Sequence, residues 1–270
     1  MTHSDILQHV HLLVIDDQKA IRGVIAQGLR RLGAEVIEAD DGYTGLNILG
    51  LGSGAEVGLE RLRKQRPDFA VCGRAANSRI NCIVTDIRMA PMNGLEMLKA
   101  VRVGYSSAPR DLPVIVMSAH TDEPLIGAAI ALDAHAFVSK PISQATILDR
   151  IQRAMRVKLL PKPVDIYRKL IIPVLDETTL QTDVGQLWNH KLPKIQAEDV
   201  NALSGEWTIK AKLAELSGGD IFAVDFKTVA GHMVIPAGTR VTELLIGAIN
   251  DLAQVTELSD EIHVTRTQRH

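Results

Sequence analysis

The sequence predicts an α/β fold: a doubly wound, five-stranded parallel sheet, then a linker and a small α+β C-terminal domain. Three observations carry that prediction. Short apolar runs alternate with helix-spaced segments as far as residue 158, as in a parallel sheet crossed by helices. Four of those runs stop at a polar side chain: 12–15 at Asp16 and Asp17, 80–85 at Asp86, 112–117 at Ser118, and 136–139 at Lys140. Beyond residue 158 the pattern changes, because Pro161, Pro163 and Pro173 interrupt the chain and short runs with glycine turns follow. The expected domains are 1–158, with an insertion around 50–79, a linker with short helices over 159–203, and a β-rich domain over 204–270.

Residues 1–8 are polar, and the first strand is 12–15. Over 18–32, Ile21, Val24, Ile25, Leu29 and Leu32 are spaced for one helix face, with Gly33 placed to cap it. Residues 34–39 form the second strand, giving a β-α-β unit with a right-handed crossover. Asp40, Asp41 and Gly42 make a turn, and a second helix begins at Tyr43. Gly50, Gly52, Ser53 and Gly54 interrupt that helix before its pattern resumes over 55–65. The run 67–72 imitates a strand, but no acid follows it. The third strand is therefore 80–85, and 66–79 becomes an inserted basic loop with Arg66, Arg74 and Arg79, read as a solvated elaboration with partner docking as the alternative.

A helix over 94–103 turns Leu95, Leu98 and Val101 inward. After the fourth strand, 123–132 is an apolar, alanine-rich helix, and 143–157 is a last one with Ile147, Ile151 and Met155 inward. A short helix is expected over 165–172, with others around 179–188 and 197–203. In the final segment 207–216, 221–226 and 232–235 read as strands, Thr242 caps a helix to Ala253, and 262–264 closes as a strand.

Parallel strands place the four polar termini on one sheet edge, where open α/β sheets bind ligands. The edge would hold three carboxylates, a hydroxyl and an ammonium. Clustered carboxylates repel, which raises a pKa unless a cation sits among them. Oxygen donors that leave room for water and a phosphate oxygen suit Mg²⁺.

This ordered set, over about residues 8–157, resembles the receiver domain of two-component response regulators, a flavodoxin-like fold. The resemblance implies that Asp86 accepts a phosphoryl group from a histidine kinase or phosphotransfer protein. It further implies that Asp16, Asp17, Asp86 and the backbone carbonyl of Arg88 hold Mg²⁺. Ser118 would follow the phosphoryl group, Lys140 would be its counter-ion, and Phe137 would be the aromatic switch. The helices flanking the Lys140 strand would mediate dimerisation or output docking. Two features depart from the family: its proline four residues after the acceptor is Ala90 here, with Pro91 next, so the loop bearing the Arg88 carbonyl takes a different geometry. The span from Asp17 to Asp86 is also longer than usual by roughly two dozen residues.

The totals exclude several function classes. At 270 residues with 46% hydrophobic content the chain can bury a core, and with aromatics at 3% aliphatic residues must fill it. A net charge of −2 predicts no general attraction to polyanions. No signal-peptide pattern or membrane-length apolar run occurs, and Cys72 and Cys82 form no disulfide framework, so the expected compartment is the cytoplasm.

Residues 216–221 followed by 234–239 resemble a small β module of some multidomain signalling regulators, including ones with HD-type phosphodiesterases. No adjacent His-Asp pair occurs, and Gly218-Gly219-Asp220 lacks the Glu-Phe of a cyclic-dinucleotide cyclase, so no catalytic output is expected. His120, His135, His190 and His232 lack metal-ligand spacing and read as surface or satisfied residues. A DNA-binding transcriptional regulator is the alternative reading. Against it, the helix after Thr242 carries Glu243 and Asp251 but no Lys or Arg. Output through a downstream protein is therefore expected.

Overall fold

Five parallel strands build the first unit: β1 (His11–Ile15), β2 (Glu35–Ala39), β3 (Ile80–Asp86), β4 (Val114–Ser118) and β5 (Ala136–Ser139), in the order β2-β1-β3-β4-β5. The computed structural model describes residues 6–50, 79–119, 123–173, 206–254, 256–259 and 262–267. The helical pattern at 55–65, the loop at 66–78, His120, His190 and the short helices near 179–188 and 197–203 lie outside the described residues.

Strand alternation divides the side chains between two layers. Leu12, Val14, Cys82, Val84, Ile115, Met117, Ala136 and Val138 form one buried layer with Ile25 and Leu29 of α1 (Lys19–Arg31) and Ile147, Ile151 and Ala154 of α5 (Gln144–Arg156). Each large aliphatic side chain buried there contributes about 1.5–3 kcal/mol. Burial pushes the Cys82 thiol up to about 12, so it acts as a small hydrophobe. The opposite layer receives α2 (Gly42–Leu49) and α3 (Gly94–Val103), which pack on each other. Gly45 lets α2 approach β1, because a Cβ there would come within 2.6 Å of the Ile15 side chain.

Local chemistry sets the helix ends. The Asp41 side chain accepts from the Thr44 N–H at 2.7 Å. Asn93 and Glu96 form a capping box on α3, and Ser143 caps α5. Two inward assignments are corrected. Val24 is 72% exposed, off the stripe of Ile25, Ala26 and Leu29, and Met155 is 41% exposed because the α5 stripe centres on Ile151 and Ala154.

His135 is also corrected: it is buried, its Nδ1 accepts from the Val114 N–H at 3.4 Å, and its Nε2 has no hydrogen-bond partner. Burial and the Arg102 charge push its pKa down to about 3, so the ring is neutral.

By packing, one unit comprises 1–118 and 134–169, and the other 119–133 and 170–270. Within the first unit, Arg110 ties in the chain after α5. It donates to the Lys162 carbonyl at 2.6 Å and lies 5.6 Å from the ring centre of Tyr167, a fully buried residue of α6 (Val164–Lys169), which packs on α3.

In the second unit, β6 (Glu206–Ala211) and β7 (Ile221–Phe222) flank β10 (Ile262–Thr267) in an antiparallel sheet, and β8 (Phe226–Lys227) pairs with β9 (Met233–Ile235). The strand expected over 207–216 ends at Ala211, and 221–226 divides where Asp225 turns to accept the Ala237 N–H. Thr242 caps α7 (Glu243–Leu252). The remaining helix, α4 (Glu123–Ala131), packs on β9. No helix among the described residues is long and apolar enough to cross a membrane.

Candidate functional site

Register brings the predicted strand ends together. Ile15 pairs with Thr85, Asp86 with Met117, and Ser118 with Ser139, so Asp16, Asp86, Ser118 and Lys140 emerge along one edge. Parallel strands without offset require this, because each run leaves the sheet at the same end.

Asp86 and Asp16 are buried, whereas Asp17 is exposed. The Lys140 ammonium bridges the first two, lying 2.8 Å from an Asp86 oxygen and 3.0 Å from Asp16 Oδ2. The other oxygens accept from backbone: Asp86 Oδ1 from the Ile87 N–H at 2.9 Å, and Asp16 Oδ1 from the Gln18 N–H at 2.8 Å. Burial, with a smaller push from Asp16, raises the Asp86 carboxyl to about 6 against the opposing effects of Lys140 and Ile87. Burial alone would lower the Lys140 pKa, but hydrogen bonds and charge from Asp86 and Asp16 raise it, so the ammonium stays charged.

Lys140 thus serves two of three clustered carboxylates. One oxygen from each of Asp16, Asp17 and Asp86 lies within 4.8 Å of the others. Hard oxygen donors in excess of their local cation fit a divalent ion such as Mg²⁺. Arg88 is exposed in the loop after β3, which contains Pro91.

Ser118 and Phe137 are both buried, and the Ser118 carbonyl accepts from the Lys140 N–H at 2.9 Å. Asp16, Asp86, Ser118 and Phe137 are thus buried, Lys140 is half-buried, and Asp17 is exposed.

Sequence reasoning missed Gly94, which it read only as a helix start. A Cβ at this position would sit 2.0 Å from the Asp86 carbonyl oxygen and 2.8 Å from Thr85 Oγ1, while the Gly94 N–H donates to the Ile87 carbonyl at 3.1 Å. The signal was a glycine following Asn93 in the loop after Asp86. It fixes how closely α3 approaches the acidic strand end.

Comparison with known proteins gives a match to the family model "Response regulator receiver domain" over residues 12–152. The two-component response regulator ARR15 of Arabidopsis thaliana is 31% identical over 51% of this chain and 59% of its own length. The sensory/regulatory protein RpfC of Xanthomonas campestris is 29% identical over 56% of this chain and 17% of its own. The chain thus spans less than two thirds of either relative. A receiver domain structure from Clostridium thermocellum covers 54% of this chain and 94% of its own, at 21% identity and a TM-score of 0.40.

Proposed function

The chain belongs to the response regulator receiver domain family, and from that premise we propose that it works in a two-component phosphorelay with Asp86 as phosphoacceptor. The observation that carries this reading is the register that sets Asp86 beside Asp16 and Lys140 at one sheet edge. An Asp86 oxygen attacks the phosphorus of a phosphohistidine, a P–O bond forms, and the P–N bond breaks with its electron pair leaving on the imidazole. Hydrolysis of the resulting acyl phosphate by water regenerates the carboxylate. A carboxyl held at about 6 remains mostly ionised near neutral pH, as a nucleophile must be.

Lys140 is within hydrogen-bonding distance of the acceptor and offsets charge on the transferring group. When bound, Mg²⁺ supplies divalent charge against the phosphoryl oxygens, with Asp16, Asp17, Asp86 and the Arg88 carbonyl as its holders. Ser118 acts as the hydroxyl that closes on the phosphoryl group and Phe137 as the aromatic that follows it. The donor is a histidine kinase or phosphotransfer protein in the cytoplasm, and the output is protein contact through the receiver surface, a homodimer or the C-terminal module.

Incubation with Mg²⁺ and a small acyl phosphate labels the wild-type chain and leaves Asp86→Asn unlabelled. Equal labelling of both would move the acceptor elsewhere.

A further inference from the structure

β1 ends at Ile15, so the carbonyl of the buried Asp16 lies beyond the strand and requires a donor from elsewhere. The donor is a side chain. Arg22, near the start of α1, reaches back to that oxygen with Nη1 at 2.5 Å. The oxygen belongs to the peptide unit that joins Asp16 to Asp17, two of the three members of the acidic cluster. A peptide unit is planar, so holding its oxygen constrains the Cα atoms on both sides and the directions in which the two carboxylates depart.

Arg22 is itself aimed from the neighbouring strand. Register sets Glu38 of β2 opposite Val14, and Glu38 Oε2 lies 3.5 Å from Arg22 Nε, a buried nitrogen with no hydrogen-bond partner. The other Glu38 oxygen pairs with Arg30 at 3.0 Å, so this carboxylate stands between two arginines of α1. The Asp16 N–H donates to the Ala39 carbonyl at 3.2 Å, which leaves each polar group of Asp16 assigned: N–H to Ala39, carbonyl to Arg22, Oδ1 to Gln18 and Oδ2 to Lys140. An ordinary buried carbonyl needs only a donor. This one receives a half-buried guanidinium directed by a second strand, which fixes an angle as well as a bond.

We infer that Arg22 is a positioning residue for the divalent ion: it clamps the peptide unit between Asp16 and Asp17, and Glu38 aims it. This rests on Asp16 and Asp17 holding Mg²⁺. Without the clamp the exposed Asp17 side chain loses its fixed origin, and the ion must order its own holders on binding. Groups that orient the ligands of a metal typically alter its affinity by about 10–100-fold. Asp86 and Lys140, which face the transferring group, keep their own contacts.

The test uses the full chain and two readouts. Binding of Mn²⁺, which suits the same oxygen donors as Mg²⁺, is measured by counting free ion with electron paramagnetic resonance. The rate of labelling by a small acyl phosphate is followed against Mg²⁺ concentration. Both are applied to wild type, Arg22→Met, Arg22→Lys and Glu38→Gln, with far-ultraviolet circular dichroism to confirm the fold. In Arg22→Met the ion is expected to bind about tenfold or more weakly, while labelling at saturating Mg²⁺ stays within about twofold of wild type. Arg22→Lys, whose ammonium still donates to the Asp16 carbonyl, recovers most of the affinity. Glu38→Gln keeps the donor and loses what aims it, a change of about threefold, the worth of a partly exposed ion pair. Should Arg22→Met fail to fold, Glu38→Gln decides. Unchanged ion affinity in the deciding variant, or a lysine variant no better than the methionine one, would overturn the clamp alone. A wild-type chain that takes no Mn²⁺ would overturn the metal site and the clamp together.

Discussion

Two buried aspartates, one in each unit, meet a basic partner on opposite terms. In the C-terminal unit Asp220 receives a two-pronged contact from Arg266, at 2.9 Å to Oδ1 and 3.0 Å to Oδ2, with the Ser217 N–H adding a bond at 3.0 Å. Burial would raise its pKa, but those bonds and the guanidinium charge hold the carboxyl below its ordinary value. At the sheet edge Asp86 shares Lys140 with Asp16, and its carboxyl is pushed up instead. Burying a carboxylate is common to both places. What separates a structural clasp from a reactive site is whether the charge is matched one to one or left short of cation.

Abolishing the geometry on one side is the most severe way to break the contrast. Gly94→Ala sets a Cβ 2.0 Å from the Asp86 carbonyl oxygen, a backbone atom that cannot rotate away. The expected outcome is a loss of about 3 kcal/mol in urea unfolding together with loss of acyl phosphate labelling. A variant that labels as wild type does would mean that α3 has room to retreat.

Next in size is the clasp. Arg266→Met leaves Asp220 buried with the Ser217 N–H still bonded and the guanidinium gone. A fully buried pair broken in this way costs roughly 3–5 kcal/mol. The Arg266 side chain is 38% exposed, so solvent screening reduces the expected loss to about 2 kcal/mol, read from the unfolding midpoint at neutral pH. No loss would show that the clasp is as weak as an ordinary surface pair.

The site was legible in the sequence because its information is local: an apolar run followed by a polar residue needs only the parallel register to deliver Asp16, Asp86, Ser118 and Lys140 together. The allegiance of α4 was not legible. Its apolar residues surround the helix, so periodicity names no preferred face and is silent about which neighbour covers it. The docking of the short helix at Val164–Lys169 escaped for a related reason. Prolines signal a break, but the docking of Tyr167 depends on Arg110, some fifty positions earlier, and on a buried ring that no local pattern announces. His135 followed the same rule: its burial is set by Val114 and Arg102 across the fold, not by spacing.

The smallest effect is the most discriminating, because its sign opposes that of the clasp. A native pKa of about 6 against an ordinary 3.8 means that folded Asp86 holds its proton through that window while the unfolded chain releases it. The proton's contribution to stability is thus complete below 3.8 and is lost as pH rises through about 6, leaving an ionised group that opposes folding at neutral pH. At 1.36 kcal/mol per pH unit the ceiling is roughly 3 kcal/mol. The value of about 6 already counts the pull of Lys140; asparagine in addition turns one of the two accepting oxygens into an NH₂ donor beside Lys140 or Ile87, so the net gain for Asp86→Asn is about 1 kcal/mol. Measured by denaturant unfolding at pH 7.5 with divalent ions chelated, the variant is expected to be more stable than wild type, and the gap to close as pH falls toward 4. A variant less stable than wild type at pH 7.5, or a gap indifferent to pH, would place Asp86 in the same class as Asp220 and remove the electrostatic distinction between reactive edge and structural clasp.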